Sequence, residues 1–151
     1  MIMFVCNHCP YVVHLAGALA DFAREAEVLG VGMVAINSND AEQYPADAPH
    51  NMPSFVVQHG WTFPYLVDAD QGVAKSYVAA CTPDFYLFDG ELRLVYCGQF
   101  DSSRPKNAEP VTGADLREAL RRLCAGEPPL EGQRPSTGCN IKWRAGKEPQ
   151  L

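Results

Sequence analysis

Cys6 and Cys9, in the run Cys6-Asn7-His8-Cys9-Pro10, carry the most distinctive chemistry in the chain. Their spacing lets the two sulfurs close a small disulfide ring, so the pair can hold two electrons as a dithiol or give them up as a disulfide. An apolar run, Met1-Ile2-Met3-Phe4-Val5, leads into the motif, and a long amphipathic pattern follows it. A strand passing into a helix here would put the helix N-terminus under the first sulfur, where N–H groups and the macrodipole favour negative charge. The Cys6 pKa is therefore expected below the free value of ~8.5, with Cys6 as nucleophile and Cys9 as resolving thiol. The same spacing is half of a zinc site. The other half is not evident, because Cys81, Cys97, Cys124 and Cys139 stand singly. A redox pair is the preferred reading, and no metal is assigned.

The elements that must hold this pair follow from pattern. The 151 residues are 47% hydrophobic, enough for one domain with a core, and the net charge of −6 includes no basic block. Nucleic acid and anionic membranes are not expected partners. No apolar run approaches the ~20 residues of a bilayer span. Six scattered cysteines do not form the dense framework of a secreted disulfide scaffold. The opening run is too short, and lacks the basic flank, for a signal peptide. A core strand starting at Met1 raises the expectation of residues upstream, where an export signal would also lie. From the residues present, the expected compartment is the cytoplasm.

Residues 1–5 are expected as a buried strand. From Tyr11 to Leu29, apolar residues at Val12, Leu15, Leu19, Phe22, Ala26 and Leu29 mark one helix face, with Pro10 in the first turn and Gly30 as the stop. Val31 to Ile36 is a parallel strand candidate covered on both sides. Asn37 to Pro53 is a polar loop after a strand's carboxyl end, either a solvated connection or a substrate-facing lip. A short helix at Met52–His59, a strand at Phe63–Val67 and a helix through Val73–Val78 capped by Asp68 or Asp70 come next. After Cys81-Thr82-Pro83-Asp84, the strand Phe85–Phe88 turns at Asp89-Gly90 into a return strand with Leu92, Leu94 and Tyr96. Thr112 with Asp115 resembles a capping box for a last helix carrying Leu116, Leu120 and Leu123. Residues 1–126 thus form the domain and 127–151 an extended tail, in which Ile141 and Trp143 are expected to pin the chain to an apolar groove.

This order, βαβ, an inserted αβα stretch and then ββα, resembles the thioredoxin fold: a central mixed sheet flanked by helices. The insertion resembles that of peroxiredoxins and TlpA/ResA-type oxidoreductases. More closely, the chain is similar to redoxin-domain proteins of the alkyl hydroperoxide reductase/thiol-specific antioxidant type. The match is carried by Cys6-Asn7-His8-Cys9-Pro10-Tyr11, Ala35-Ile36-Asn37-Ser38-Asn39-Asp40, Phe63-Pro64-Tyr65-Leu66, Ala80-Cys81-Thr82-Pro83-Asp84 and Gly138-Cys139-Asn140-Ile141-Lys142-Trp143. The resemblance implies a cis peptide at Thr82–Pro83, facing the dithiol and presenting backbone to substrate. Cys-x-His-Cys resembles the more oxidising members, DsbA and protein disulfide isomerase, so His8 is expected to tune the Cys6 thiolate. A full-length member would have a further strand or hairpin before Met1. The buried acid that thioredoxins use as base for the resolving thiol would also lie there, and no base for Cys9 is assigned.

Thiol–disulfide exchange with protein or small-molecule partners is the expected activity, with no organic cofactor, in a monomer or weak homodimer. A thiol peroxidase is the alternative, but its Pro-x-x-x-Thr/Ser-x-x-Cys pattern is missing: Met3 stands three before Cys6, and Cys6 three before Cys9. A Cu(I) or zinc carrier is the non-enzymatic alternative. Cys81 is expected as a small buried hydrophobe in preference to a third redox thiol. Cys139 is expected to be structural, or an extra resolving thiol if the tail crosses the active face. Cys97 and Cys124 are expected in the core.

Overall fold

The computed structural model describes residues 1–149. Its centre is β1 (Ile2–Phe4), flanked by the parallel strand β2 (Val34–Asn37) and the antiparallel strand β5 (Asp84–Phe88). With β3 (Tyr65–Val67) outside β2 and β6 (Leu94–Gly98) outside β5, the five-stranded order is β3-β2-β1-β5-β6. The expected mixed sheet is present.

Side chains alternate across this sheet and feed two cores. Met3, Val5, Ala35, Phe85 and Leu87 face one layer, where α1 (Pro10–Val28) contributes Leu15, Leu19 and Phe22, and α4 (Ala114–Ala125) contributes Leu116 and Leu120. The short α2 (Met52–His59) adds Phe55 to that layer. Phe4, Ile36 and Tyr86 face the other, covered by Ala74 of α3 (Gly72–Tyr77) and by Ile141 of the tail. Each fully buried large apolar side chain contributes about 1.5–3 kcal/mol. The two layers together clamp β1, which leads into Cys6.

Several boundaries depart from the sequence expectations for local reasons. Leu29 ends α1 and is exposed rather than on its buried face. The second strand starts at Val34, because Val31 still closes the helix by donating to Ala26 O. Asp89-Gly90 opens a three-residue loop instead of a two-residue turn: Leu92 donates to Asp89 O and takes φ 61°, Asp89 donates to Arg93 O, and pairing resumes at Leu94. Leu92 and Leu94 are exposed. Both Asp68 and Asp70 cap α3, accepting from Val73 and Ala74, and from Gly72, although Gln71 is the N-cap residue; Val73 and Val78 are exposed. No Thr112/Asp115 box forms. The Asp101 carboxylate accepts the N–H groups of Thr112 and Gly113, while Asp115 accepts from Gln99 Nε2. Cys97 and Cys124 are exposed, contrary to the core assignment: one lies on the outer strand, the other beside the end of α4.

The tail lies extended on the domain. Its β7 (Cys139–Asn140) pairs antiparallel with β4 (Cys81–Thr82), Cys139 opposite Thr82 and Asn140 opposite Cys81. Ile141 is buried in the second core, with Trp143 packed at its margin.

Candidate functional site

Cys6 and Cys9 sit where β1 gives way to α1, both free thiols and both buried. Pro10 is the first helical residue, and that detail moves the helix end. The N-cap is Cys9, whose carbonyl accepts the Val12 N–H at 3.0 Å while its side chain makes no capping bond. The expectation that the helix terminus would serve Cys6 is therefore corrected by one turn.

The two sulfurs titrate as one pair. Cys9 is drawn below the ordinary thiol range, first by the neighbouring Cys6 thiol and then by Cys139, against the opposing effect of burial. The bond to Cys9, then burial, then the Asp47 carboxylate push Cys6 above that range. The pair as a whole thus loses its first proton below the ordinary thiol range, with the lowering drawn to the Cys9 side. Thr82 has a partner ready for either arrangement. Its hydroxyl lies 3.5 Å from Cys6 Sγ, and its carbonyl accepts the Cys9 S–H at 3.2 Å when the proton sits there. The Thr82–Pro83 peptide is cis, as the resemblance implied.

The loop after β2 is neither a solvated connection nor a bare lip. It delivers Asp47, a buried carboxylate that the polar composition of the loop does not single out. Its Oδ1 accepts the backbone N–H of Asn7 at 2.7 Å and of His8 at 3.2 Å. Its Oδ2 binds His8 Nδ1 at 2.6 Å and Asn39 Nδ2 at 2.7 Å. Asn7 is further held by Ala46 O and the Tyr65 hydroxyl. Both residues between the cysteines are thereby fixed. The one sequence hint was the setting of Asp47 between Pro45 and Pro49, which give it two short 3-10 turns.

His8 is tied to Asp47 and stacks on Tyr44, with ring centroids 5.7 Å apart. Its Nδ1 lies 4.0 Å from Cys6 Sγ, a grazing contact for a nitrogen already bound to Asp47. Cys6, His8 and Asp47 offer three ligand atoms within 4.8 Å of one another, the only such His/Cys/Asp/Glu group among the described residues. A metal there would have to displace the His8–Asp47 bond.

Cys81 is buried, its sulfur 3.6 Å from Pro83 O, and burial raises its pKa to about 12. Such a thiol is a poor nucleophile. Cys139, opposite Thr82, reaches the dithiol: the tail does cross the active face.

Comparisons with known proteins agree with this architecture. The sequence model of the AhpC/TSA family matches residues 1–97. A hypothetical protein of Sinorhizobium meliloti 1021 superposes with a TM-score of 0.94 at 52% identity, covering 96% of this chain and 79% of its own. An uncharacterized conserved protein of Geobacillus kaustophilus gives 0.92 at 56%, covering 95% and 76%. A secreted disulfide oxidoreductase of Mycobacterium tuberculosis, homologous to E. coli DsbE, gives 0.60 at 19%, covering 81% and 79%, and supports the thioredoxin-like fold. No curated protein sequence matches. No helix among the described residues is long and apolar enough to cross a membrane.

Proposed function

The chain belongs to the AhpC/TSA family, and from that premise we propose that it is a thiol–disulfide oxidoreductase working through the Cys6/Cys9 pair. Membership supports a thiol-based redox function. The finer reading rests on one observation: two free sulfurs lie beside Thr82, whose hydroxyl is 3.5 Å from Cys6 Sγ and whose carbonyl is 3.2 Å from Cys9 Sγ.

The cycle starts from a Cys6 thiol bonded to a Cys9 thiolate. As a substrate disulfide approaches, the proton passes from Cys6 to Cys9, whose S–H turns to the Thr82 carbonyl. The Cys6 thiolate, facing the Thr82 hydroxyl, attacks one substrate sulfur; the other leaves as thiolate and takes the proton from Cys9. Cys9 then attacks Cys6, releasing the second substrate sulfur and closing the Cys6–Cys9 disulfide. Cys6 in the mixed disulfide has no S–H left to donate to Cys9, so the departing substrate thiolate is the base that frees the resolving thiolate. Asp47 and His8 position the motif, and Thr82 and Pro83 form the wall that meets substrate. The partners are protein or small-molecule disulfides and thiols, and no cofactor takes part.

The test is reduction of a mixed glutathione disulfide or of insulin by the reduced protein. Cys6→Ser and Cys9→Ser are each expected to fall to the uncatalysed rate, with only Cys9→Ser accumulating a stable mixed disulfide on Cys6. A variant that keeps its full rate sinks the proposal. A peroxidase reading has one observation in its favour: the Thr82 hydroxyl supplies in space what the sequence motif lacks. Hydrogen peroxide turnover exceeding disulfide turnover would favour it.

A further inference from the structure

Cys139 is held on the active face by more than its two-residue strand. Below it, Ser136 Oγ donates to Gly98 O at 2.7 Å. Gly138 lies so close over Thr82 that a Cβ there would stand 2.0 Å from the Thr82 carbonyl oxygen. Above it, Lys142 is gripped on both sides, its N–H by Asn39 Oδ1 and its carbonyl by Asp40 N–H and Gln71 Nε2. Ile141 is buried. Between these anchors the chain presents a thiol beside the dithiol: Cys139 pairs with Thr82, whose carbonyl lies 3.2 Å from Cys9 Sγ, and Cys139 packs against the core layer that holds Cys6 and Cys9. Cys6 and Cys9 are 1% and 0% exposed, whereas Cys139 is half-buried. It is the member of the sulfur cluster that solvent reaches.

We propose that Cys139 is a third redox cysteine, exchanging with Cys9 to carry the disulfide from the buried pair to the surface of the tail. This rests on the dithiol reading above. In the step, the Cys139 sulfur attacks Cys9 of the Cys6–Cys9 disulfide. A Cys9–Cys139 bond forms, the Cys6–Cys9 bond breaks, and Cys6 leaves as a thiolate that takes the proton Cys139 gave up. Nothing is oxidised or reduced overall. An external thiol, of the glutathione or dithiol class, then attacks Cys139, and a second thiol equivalent completes the reduction. The class of recycling partner is thus a small thiol, or a protein thiol able to reach a half-buried sulfur on the tail.

The experiment uses the full chain with the exposed Cys97 and Cys124 changed to serine. In that background the intact Cys6/Cys9 pair is oxidised with glutathione disulfide and its linkage mapped by non-reducing peptide mass spectrometry. A Cys6–Cys9 bond checks the underlying reading. With Cys6→Ser added, glutathione disulfide is expected to cap the half-buried Cys139, and Cys9 to displace glutathione, giving a Cys9–Cys139 peptide. A Cys139 that stays glutathionylated, or a Cys9 that pairs with Cys81, overturns the inference while leaving the dithiol reading standing. Failure of the Cys6–Cys9 bond itself removes both. Independently, Cys139→Ser is expected to slow reduction of the oxidised protein by glutathione by an order of magnitude. An unchanged rate overturns the role of Cys139 even if the Cys6→Ser chain does not fold.

Discussion

Two polar segments converge on the dithiol from opposite sides, and they hold it by different physics. Residues 37–53 bring a buried charge: Asp47 spends its carboxylate on two backbone N–H groups, an imidazole and an amide. Residues 130–149 bring backbone: a short ladder, a glycine pressed on a carbonyl and one buried isoleucine. The loop acts on Cys6, whose proton affinity Asp47 raises, and the tail acts on Cys9, which Cys139 helps to ionise. Polar composition alone therefore does not separate a solvated connection from a cradle.

The sharpest way to break the comparison is Asp47→Ala. It leaves several donors unpaired at a buried site and is expected to cost about 3–5 kcal/mol, measured by urea unfolding. The milder Asp47→Asn removes the charge, so the Cys6 pKa is expected to fall toward the ordinary value, read from thiolate absorbance near 240 nm. No change in that titration would detach the loop from Cys6.

On the tail side, Gly138→Ala is expected to cost less, about 1–3 kcal/mol, because the strap can lift while the core stays packed. Amide exchange should accelerate at Asn140 and Ile141 and not in α1. Protection unchanged throughout would show that Gly138 is not pressed on Thr82.

The smallest effect tests both segments together through pH. With Cys9 drawn below the ordinary thiol range, the folded dithiol loses its first proton at lower pH than the unfolded chain, which keeps both until near the free thiol value of about 8.5. The unfolded state then binds more protons, so stability of the reduced protein rises with pH across that window. Above it the unfolded chain loses both protons while Cys6 keeps its own, and stability falls again. The reduction potential should accordingly change by about 30 mV per pH unit near neutrality, half the two-proton slope. A two-proton slope at pH 7 would mean that neither sulfur is ionised.

Much of this is legible in the sequence. The apolar run, the dithiol and the helix period gave the βαβ unit, and Ile141 and Trp143 revealed a tail that docks. The cis-proline was readable only through resemblance. Two things escaped for identifiable reasons. Pro10 was assigned to the first turn, yet its consequence, that Cys9 and not Cys6 becomes the cap, depends on the path taken by Asn7 and His8. That path is set by Asp47, whose separation from His8 by 39 residues leaves no periodic trace. The sequence places Cys97 and Cys124 by element alone, and element does not decide face at a sheet edge or a helix end.

Gln71, fully buried in a left-handed conformation, ties three strands of chain into one knot: its amide serves Ser38 O and Lys142 O, and its oxygen takes the N–H of Arg144. Adding or deleting a residue near Ser38, Gln71 or Lys142 would slip that knot and drag the whole active face out of alignment. The hairpin tip around Gly90–Leu92, at the far end of β5 from the dithiol, has no such cross-tie and can absorb an insertion. Length can drift at one end of this molecule and not at the other.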